Sequence, residues 1–476
     1  MTANTPKRLL ALDILRGITI AGMILVNNPG SWGYVYAPLE HAAFNGLTPT
    51  DLVFPFFMFI MGISTYISLR KYNFTYSHAT LRKIMKRTVI IFCIGLLLNL
   101  LAKSVFTHHL NFEEWRYLGV MQRLAIGYGV TSLVAITVKH KYFPIIILVT
   151  LAVYFLLLAT GDGFNQSETN VVARFDAWAL GTSHMYHEGG MAFDPEGLLS
   201  TVPAVCHVMV GFYCGKLLLS AKDNAEKIQR LFLIGTMLTF AGFLLSYGCP
   251  INKKVWSPTF VIITCGLASS FLALLIWIID MKGYQNWCAF FRSFGVNPLF
   301  IYVFAETMGI ALGATGVSAF IYEKMLAPAL GDYPGSLVYA LIYIIFCWSI
   351  VHILYKKGYV KESYTSAILE REKQFPTGLK TPGINIAMPH TYPEHVIKPA
   401  ILVATLENPI DFHEMGNSSN TVPAKLIFML AVTDPKGHLE ILSKLMSIFS
   451  QEDKLIDLYN STQAKEIIDK LNKVLN

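Results

Sequence analysis

The stretch "YALIYIIFCWSIVHILYKKGYVKESY", Tyr339 to Tyr364, changes character at its middle. Up to Leu354 it is an apolar and aromatic run, long enough with its preceding residues to cross about 30 Å of hydrocarbon as a helix. From Lys356-Lys357 onward it is charged and polar. A lysine pair at the end of an apolar helix marks the cytoplasmic edge of a membrane span. The fold is therefore decided by what stands on each side of this junction.

On the N-terminal side stand more runs of the same kind. The chain has 476 residues, 54% hydrophobic and 14% charged, with a mean hydropathy of +0.47. That is too apolar for a soluble protein of this length. Apolar segments fall near residues 9–27, 52–69, 88–106, 118–138, 142–160, 198–219, 231–247, 257–280, 294–313 and 336–355. The first is interrupted only by Asp13 and Arg16 and has no small-residue cleavage site after it. It reads as a retained span rather than a signal peptide. The expected class is an all-α polytopic membrane domain of about 10 transmembrane helices, over residues 1–357.

Basic residues crowd alternate connections. Lys7 and Arg8 precede the first span; Arg70, Lys71, Arg82, Lys83, Lys86 and Arg87 fill the second connection; Lys139, Lys141, Lys222, Lys227, Arg230 and Lys282 mark later ones. By the positive-inside rule both termini are cytoplasmic, and His41, Glu113, Glu114 and the long 161–197 connection lie outside. The +7 net charge is the flanking of spans, not a nucleic-acid surface. The seven cysteines show no CxxC spacing, so neither a disulfide framework nor a zinc site is expected. His184 and His187 have i, i+3 spacing without an acidic or cysteine partner at a motif distance, so no metal site is assigned.

On the C-terminal side, residues 358–476 read as a soluble α/β domain. "AILVATL" (Ala400–Leu406) and "KLIFMLAV" (Lys425–Val432) have strand character, and "GHLEILSKLMSIF" sets Leu439, Leu442, Leu445, Met446 and Phe449 on one helical face.

The membrane part resembles the heparan-α-glucosaminide N-acetyltransferase family, bacterial members included. The resemblance rests on "LDILRGITIAGMILVNNPG" (Leu12–Gly30), "HAAFNGLTPTDLVFPFFMFIMG" (His41–Gly62), "GVMQRLAIGY" (Gly119–Tyr128), "FDPEGLLSTVPA" (Phe193–Ala204) and "NKKVWSPTFVIITCG" (Asn252–Gly266). It implies transfer of an acetyl group from cytosolic acetyl-CoA to a glucosamine amine across the membrane, here a bacterial inner membrane. The histidine held to be catalytic falls on His41, and the asparagine of "LVN" on Asn27. The residues themselves suit that chemistry. An imidazole titrates near neutrality and serves as general base or acyl acceptor. Asn27 ends the first span on the same face and can donate to an oxyanion. Asp51 opens the second span, where it can cap the helix or orient His41.

Charge inside a bilayer needs a partner or a cavity. Asp13 and Arg16 are candidates for the CoA phosphates, or a local ion pair. Gln122 and Arg123 are candidates for the acyl donor, or for helix packing. In "FDPEG" Asp194 is expected to cap a helix with Pro195 in its first turn; Glu196, Asn252 and Trp256 are candidates for an acceptor sugar. The other classes that suit these helices are a transporter and a glycolipid-binding membrane protein.

The soluble tail resembles the enzyme IIA component of the fructose/mannitol/galactitol class of the sugar phosphotransferase system. "AILEREKQFPTGL", "GINIAMPHT", "HVIKPAILVATLENPIDFHEMG" and "VPAKLIFMLAVTDPKGHLEILSKL" carry the match. It implies that His390 accepts a phosphoryl group from a phosphocarrier protein, with His438 as second site histidine and Thr391 beside it. Such domains begin with a strand and helix that are replaced here by the last span. The expectation is an engineered chimera in which the tail is a rigid cytoplasmic handle. The sequence leaves the acceptor open, and the oligomeric state too, a homo-oligomer included.

Overall fold

The computed structural model describes residues 9–107, 109–110, 112–188, 190–296, 298–356, 363–392, 395–396, 399–431, 444–461 and 464–475. The chain divides into two compact units, Met1–His352 and Ile353–Asn476.

The first unit is helical. Helices α1 (Leu10–Asn27), α2 (Pro49–Arg70), α3 (His78–Thr107), α4 (Val120–Thr137) and α5 (Phe143–Thr160) are followed by a short helix α6 (Val171–Leu180) and a two-stranded ribbon, β1 (His187–Glu188) with β2 (Met191–Ala192). Then come α7 (Leu198–Ser220), α8 (Asn224–Leu245) and α9 (Pro258–Leu275), the last continued by a π-turn over Ile276–Met281. Helices α10 (Cys288–Val296) and α11 (Pro298–Ala314) form a sharply bent pair, and α14 (Asp332–Lys356) follows two short helices, α12 (Val317–Phe320) and α13 (Ala327–Leu330). Among the described residues eight helices are long and apolar enough to cross a membrane, or nine with the bent pair. The tenth expected segment, 336–355, falls in α14. The expected count of about ten is thus approximate.

Burial sorts the spans. The apolar windows of α1, α2, α7 and α9 are 61% buried and that of α4 67%, whereas those of α3, α8 and α5 are 11%, 17% and 22% buried. The first five make the core and the others present side chains to lipid. Lipid tails are as apolar as leucine, so helices associate through close packing, which small residues allow. On α2, a Cβ at Gly62 would strike the Val208 carbonyl of α7; on α7, one at Gly211 would strike the Phe59 carbonyl of α2.

Successive spans reverse direction, so the connections α1–α2, α3–α4, α5–α7 and α8–α9 gather at one end of the bundle. These are the connections that carry His41, Arg116, Glu196 and Lys253. One expectation fails here: α7 starts at Leu198 with Gly197 at its cap position. Asp194 does not cap it: it stands three residues before Gly197, where its carboxylate accepts from Glu196 N, Tyr186 N and Arg116.

The second unit holds a helix at Ser363–Gln374 and four strands, β3 (Gly378–Leu379), β4 (Ile386–Ala387), β5 (Ala400–Glu414) and β6 (Asn417–Ala431), closed in the order β3-β4-β6-β5. The β5–β6 hairpin turns at Gly416, whose φ of +84° suits glycine. Both strands run longer than the apolar stretches that suggested them. Ile386, Met388, Leu426, Phe428 and Leu430 pack under Leu445 and Phe449. The expected helix over 437–449 is described only from 444; Leu445 and Phe449 are buried, Met446 is 44% exposed, and Leu439 and Leu442 lie outside the described residues.

Candidate active site

The site is built on the first turn of α2. Thr48 and Asp51 form a capping box. Asp51 Oδ2 accepts from Thr48 N at 3.1 Å, Thr48 Oγ1 at 3.0 Å and Ala42 N at 3.2 Å. These bonds consume one carboxylate oxygen and aim the other. Asp51 Oδ1 lies 2.7 Å from His41 Nδ1. The Asp51 side chain is 1% exposed and that of His41 is 50% exposed. A carboxylate at Nδ1 selects the Nδ1–H tautomer, which leaves the lone pair on Nε2. The helix cap therefore also fixes the imidazole.

Lys253, in the α8–α9 connection, completes this group. Its Nζ is 3.1 Å from His41 Nδ1, 3.4 Å from Nε2 and 3.5 Å from Asp51 Oδ1. Burial lowers its pKa, opposed by the charges of Asp51 and Glu196. Sequence reasoning missed Lys253, although it lies inside the quoted "NKKVWSPTF" stretch. Its neighbours hold the His41 loop from behind. Asn252 Nδ2 donates to Asn45 Oδ1 at 3.0 Å, and Gly46 N to Ile251 O at 2.7 Å. Lys254 Nζ donates to Ala43 O and to Glu188, the latter at 2.8 Å. Asn252 is fully buried, so it positions the loop and does not line an open surface.

Deeper lies a charged layer. Arg116 Nε donates to Asp194 Oδ2 at 2.9 Å, and its Nη2 to Asp194 Oδ1 and, at 2.7 Å, to Glu196 Oε2. Burial works to raise the Glu196 pKa, but Arg116, Arg123 and Lys253 outweigh it and hold the carboxyl below its ordinary range. Asp176, on α6, is pushed up to about 6, chiefly by burial; its Oδ1 accepts from Leu199 N at 3.0 Å. Arg123 is buried against the Trp256 ring at 4.7 Å and donates to Ser200 and Gly197. Trp256 is wholly buried among Phe54, Phe260 and His207. Both side chains are buried beneath the site, where Arg123 Nε and Nη1 and Trp256 Nε1 make no hydrogen bond among the described residues.

Asn27 stands apart from His41 in its bonding: its Nδ2 donates to Glu306 Oε1, on α11, at 3.1 Å. Tyr302, one turn before Glu306, feels the charges of Glu306, Glu196 and Arg116. Tyr302 also lines a cavity of about 470 Å³ whose polar members include Arg16, Ser64, Lys83, Lys86 and Arg87. Ile20, Met23, Met121 and Leu124 supply apolar wall. Arg16 is fixed in it through Ser64 Oγ at 2.8 Å and Gly295 O at 3.1 Å. Asp13 pairs with Arg16 at 3.3 Å and is buried outside the cavity. Gln122 turns its amide to Phe92 O, against α3, rather than into the cavity.

His184 Nδ1 meets Trp115 O at 2.9 Å and its ring stacks on Tyr117; His187 Nδ1 meets Met185 O at 3.2 Å. Among the described residues no group of three or more metal-ligating side chains occurs. In the second unit His390 Nδ1 lies 2.9 Å from Met388 O, and Thr391 is buried beside it. His438 lies outside the described residues.

Comparison with known proteins follows this division. Residues 8–249, half of the chain, match the family model of the heparan-alpha-glucosaminide N-acetyltransferase catalytic domain. The human heparan-alpha-glucosaminide N-acetyltransferase (Homo sapiens) is 28% identical over 359 residues, 63% of this chain and 52% of its own length. The mouse protein (Mus musculus) is 26% identical over 366 residues, 64% of this chain and 54% of its own length. The chain thus spans about half the length of these relatives. Residues 348–474 match the family model of the phosphoenolpyruvate-dependent sugar phosphotransferase system EIIA 2 domain. The galactitol-specific EIIA component of Escherichia coli (strain K12) is 31% identical over 116 residues, 24% of this chain and 77% of that protein.

Proposed function

Because the chain belongs to the heparan-alpha-glucosaminide N-acetyltransferase catalytic family over residues 8–249 and to the phosphotransferase-system EIIA 2 family over residues 348–474, we propose that its membrane unit is a transmembrane N-acyltransferase. The donor is cytoplasmic acetyl-CoA and the acceptor an amino sugar or glycan on the outer face of a bacterial inner membrane, with both termini cytoplasmic. The observation that carries this reading is the His41–Asp51 pair: a half-exposed imidazole with Nδ1 against the carboxylate and Nε2 3.4 Å from Lys253 Nζ, which must turn aside as Nε2 takes a proton.

The cavity with Arg16, Lys83, Lys86 and Arg87 among its lining suits the phosphates of CoA, and its apolar wall toward Tyr302 suits the slender thioester-bearing arm. The donor supplies an activated acetyl carbonyl. His41 Nε2 removes the acceptor amine's proton as the C–N bond forms, and the thiolate leaves; alternatively Nε2 takes the acetyl group first and passes it to the amine. Asp51 holds the tautomer and offsets the charge on the imidazolium. Asn27, anchored to Glu306, donates to the carbonyl oxygen as it becomes an oxyanion. Lys253 supplies a second cation beside the reacting centre.

Incubation with acetyl-CoA alone, followed by mass spectrometry, is expected to show either an acetyl adduct on His41 or none, which separates the two routes. Loss of acetyl-CoA turnover on an amino-sugar panel in His41→Ala supports the reading; full activity in that variant sinks it. For the second unit, we propose His390 as phosphoryl acceptor from a phosphocarrier protein. Phosphoryl labelling lost in His390→Ala supports this, and no labelling at all assigns the unit the role of a fusion handle.

A further inference from the structure

Two further cavities lie along α4, α5 and α7, on walls that the proposed reaction does not use. The first is an apolar groove of about 340 Å³ lined by Ile126, Val130 and Val134 of α4, Ile146 and Thr150 of α5, and Val202, Val205 and Met209 of α7. The second, about 430 Å³, is open and lined by Phe74, Thr137, Val138, Lys139, His140, Lys141 and Lys216.

The two follow one another on the same helix stripes. On α4 the groove residues 126, 130 and 134 are spaced by four; the helix ends three residues later at Thr137, which with the extended Val138 lines the basic cavity. On α7 the groove residues 202, 205 and 209 are continued one heptad later by Lys216. The basic cavity is a shaped site. The His140 ring sits among Phe74, Phe143, Phe212 and Tyr66 at centroid distances of 4.4 to 6.1 Å. Phe74 reaches it from a left-handed backbone, φ +53°, with Asn73 at φ +49° before it. Among the described residues Lys139, Lys141 and Lys216 make no ion pair with a carboxylate.

We propose that these two neighbouring cavities together bind one anionic phospholipid, its phosphate between Lys139, Lys141 and Lys216 and an acyl chain passing the stacked Phe143 and Phe212 rings to lie along α4, α5 and α7. Three cations in one cavity call for an anion, and an apolar groove farther along the same two helices calls for a ligand with a hydrocarbon tail. A soluble phosphate satisfies only the first half of that surface. Basic pockets between spans at the edge of the hydrocarbon are where anionic headgroups are held.

Native mass spectrometry of the full chain, delipidated in detergent and titrated with phosphatidylglycerol, phosphatidylcholine or inorganic phosphate, tests this. Phosphatidylglycerol is expected to give a discrete one-to-one adduct, at least tenfold more retained than phosphatidylcholine. Replacing Lys139, Lys141 and Lys216 by Gln weakens it about fivefold for each lysine. Val202→Trp, at a position 44% exposed on the groove wall, blocks the chain with the charges intact and lowers retention too. Equal retention of the two lipids, retention unchanged in the triple variant, or competition by millimolar inorganic phosphate would each overturn the proposal. None of these readings depends on acyl transfer, so the test stands apart from that of the active site.

Discussion

Asp51 serves two structures with its two oxygens: one closes the α2 cap and the other meets His41. Asp51→Asn can still accept at the cap but cannot carry the compensating charge, so we expect the helix to persist and kcat to fall by roughly 10²- to 10⁴-fold. Unchanged kcat would remove Asp51 from the mechanism. Asp176 makes a stability prediction. Its carboxyl, ordinarily at 3.8, stands at about 6 in the folded chain. Below the lower value both states are protonated and burial costs nothing; stability then falls as pH rises through about 6, where the folded group must ionise. Asp176→Asn keeps an acceptor for Leu199 N and is expected to exceed the parent by about 2–3 kcal/mol above pH 6, with the difference vanishing below pH 4. Thermal unfolding of the two proteins at pH 4 and pH 8 measures it. At this scale the family resemblance singled out His41 and Asn27, and the start of the second apolar run singled out Asp51; the structure joins His41 to Asp51 and Asn27 to Glu306. Lys253, Arg116 and Glu306 were not legible, since what marks them is a partner distant in sequence: 212, 78 and 279 residues away in their closest side-chain bonds.

Helix packing here rests on absent side chains. Gly211 of α7 lies against the Phe59 backbone of α2, and backbone cannot step aside as a side chain can. Gly211→Leu is expected to destabilise by more than the usual 1–3 kcal/mol of about one overpacked position, read as a lowered melting temperature in detergent. Leu148→Ala, at a lipid-facing position of α5, serves as the comparison and should change little. Hydrophobicity alone located the spans because a bilayer demands about 20 apolar residues from any helix that crosses it. It did not locate α6 or the β1–β2 ribbon, which are short and sit in the long 161–197 connection. Nor did it show the break between α10 and α11, where Pro298 begins a new helix near the start of the 294–313 apolar run.

The whole molecule joins a membrane unit to an EIIA-type unit; composition changes at Lys356-Lys357, whereas the compact units divide at His352/Ile353 and the EIIA-type match begins at residue 348. The proposed orientation has a direct check. Single cysteines placed at Glu188 and at Lys222, in a background lacking exposed Cys93, should differ in labelling by an impermeant maleimide. The first is expected to react in intact cells and the second only after permeabilisation; the reverse pattern inverts the topology and removes His41 from the outer face. The six other cysteines are buried and should stay silent in both cases.

Asn252, Lys253 and Lys254 are adjacent in the chain yet bind three different points: Asn45, His41 and Ala43. A side chain lost from such a trio can be replaced by another of similar reach. A residue gained or lost cannot, because it moves each of the three onto its neighbour's partner. The α8–α9 connection is therefore a ruler for the His41 loop: tolerant in letters, intolerant in length.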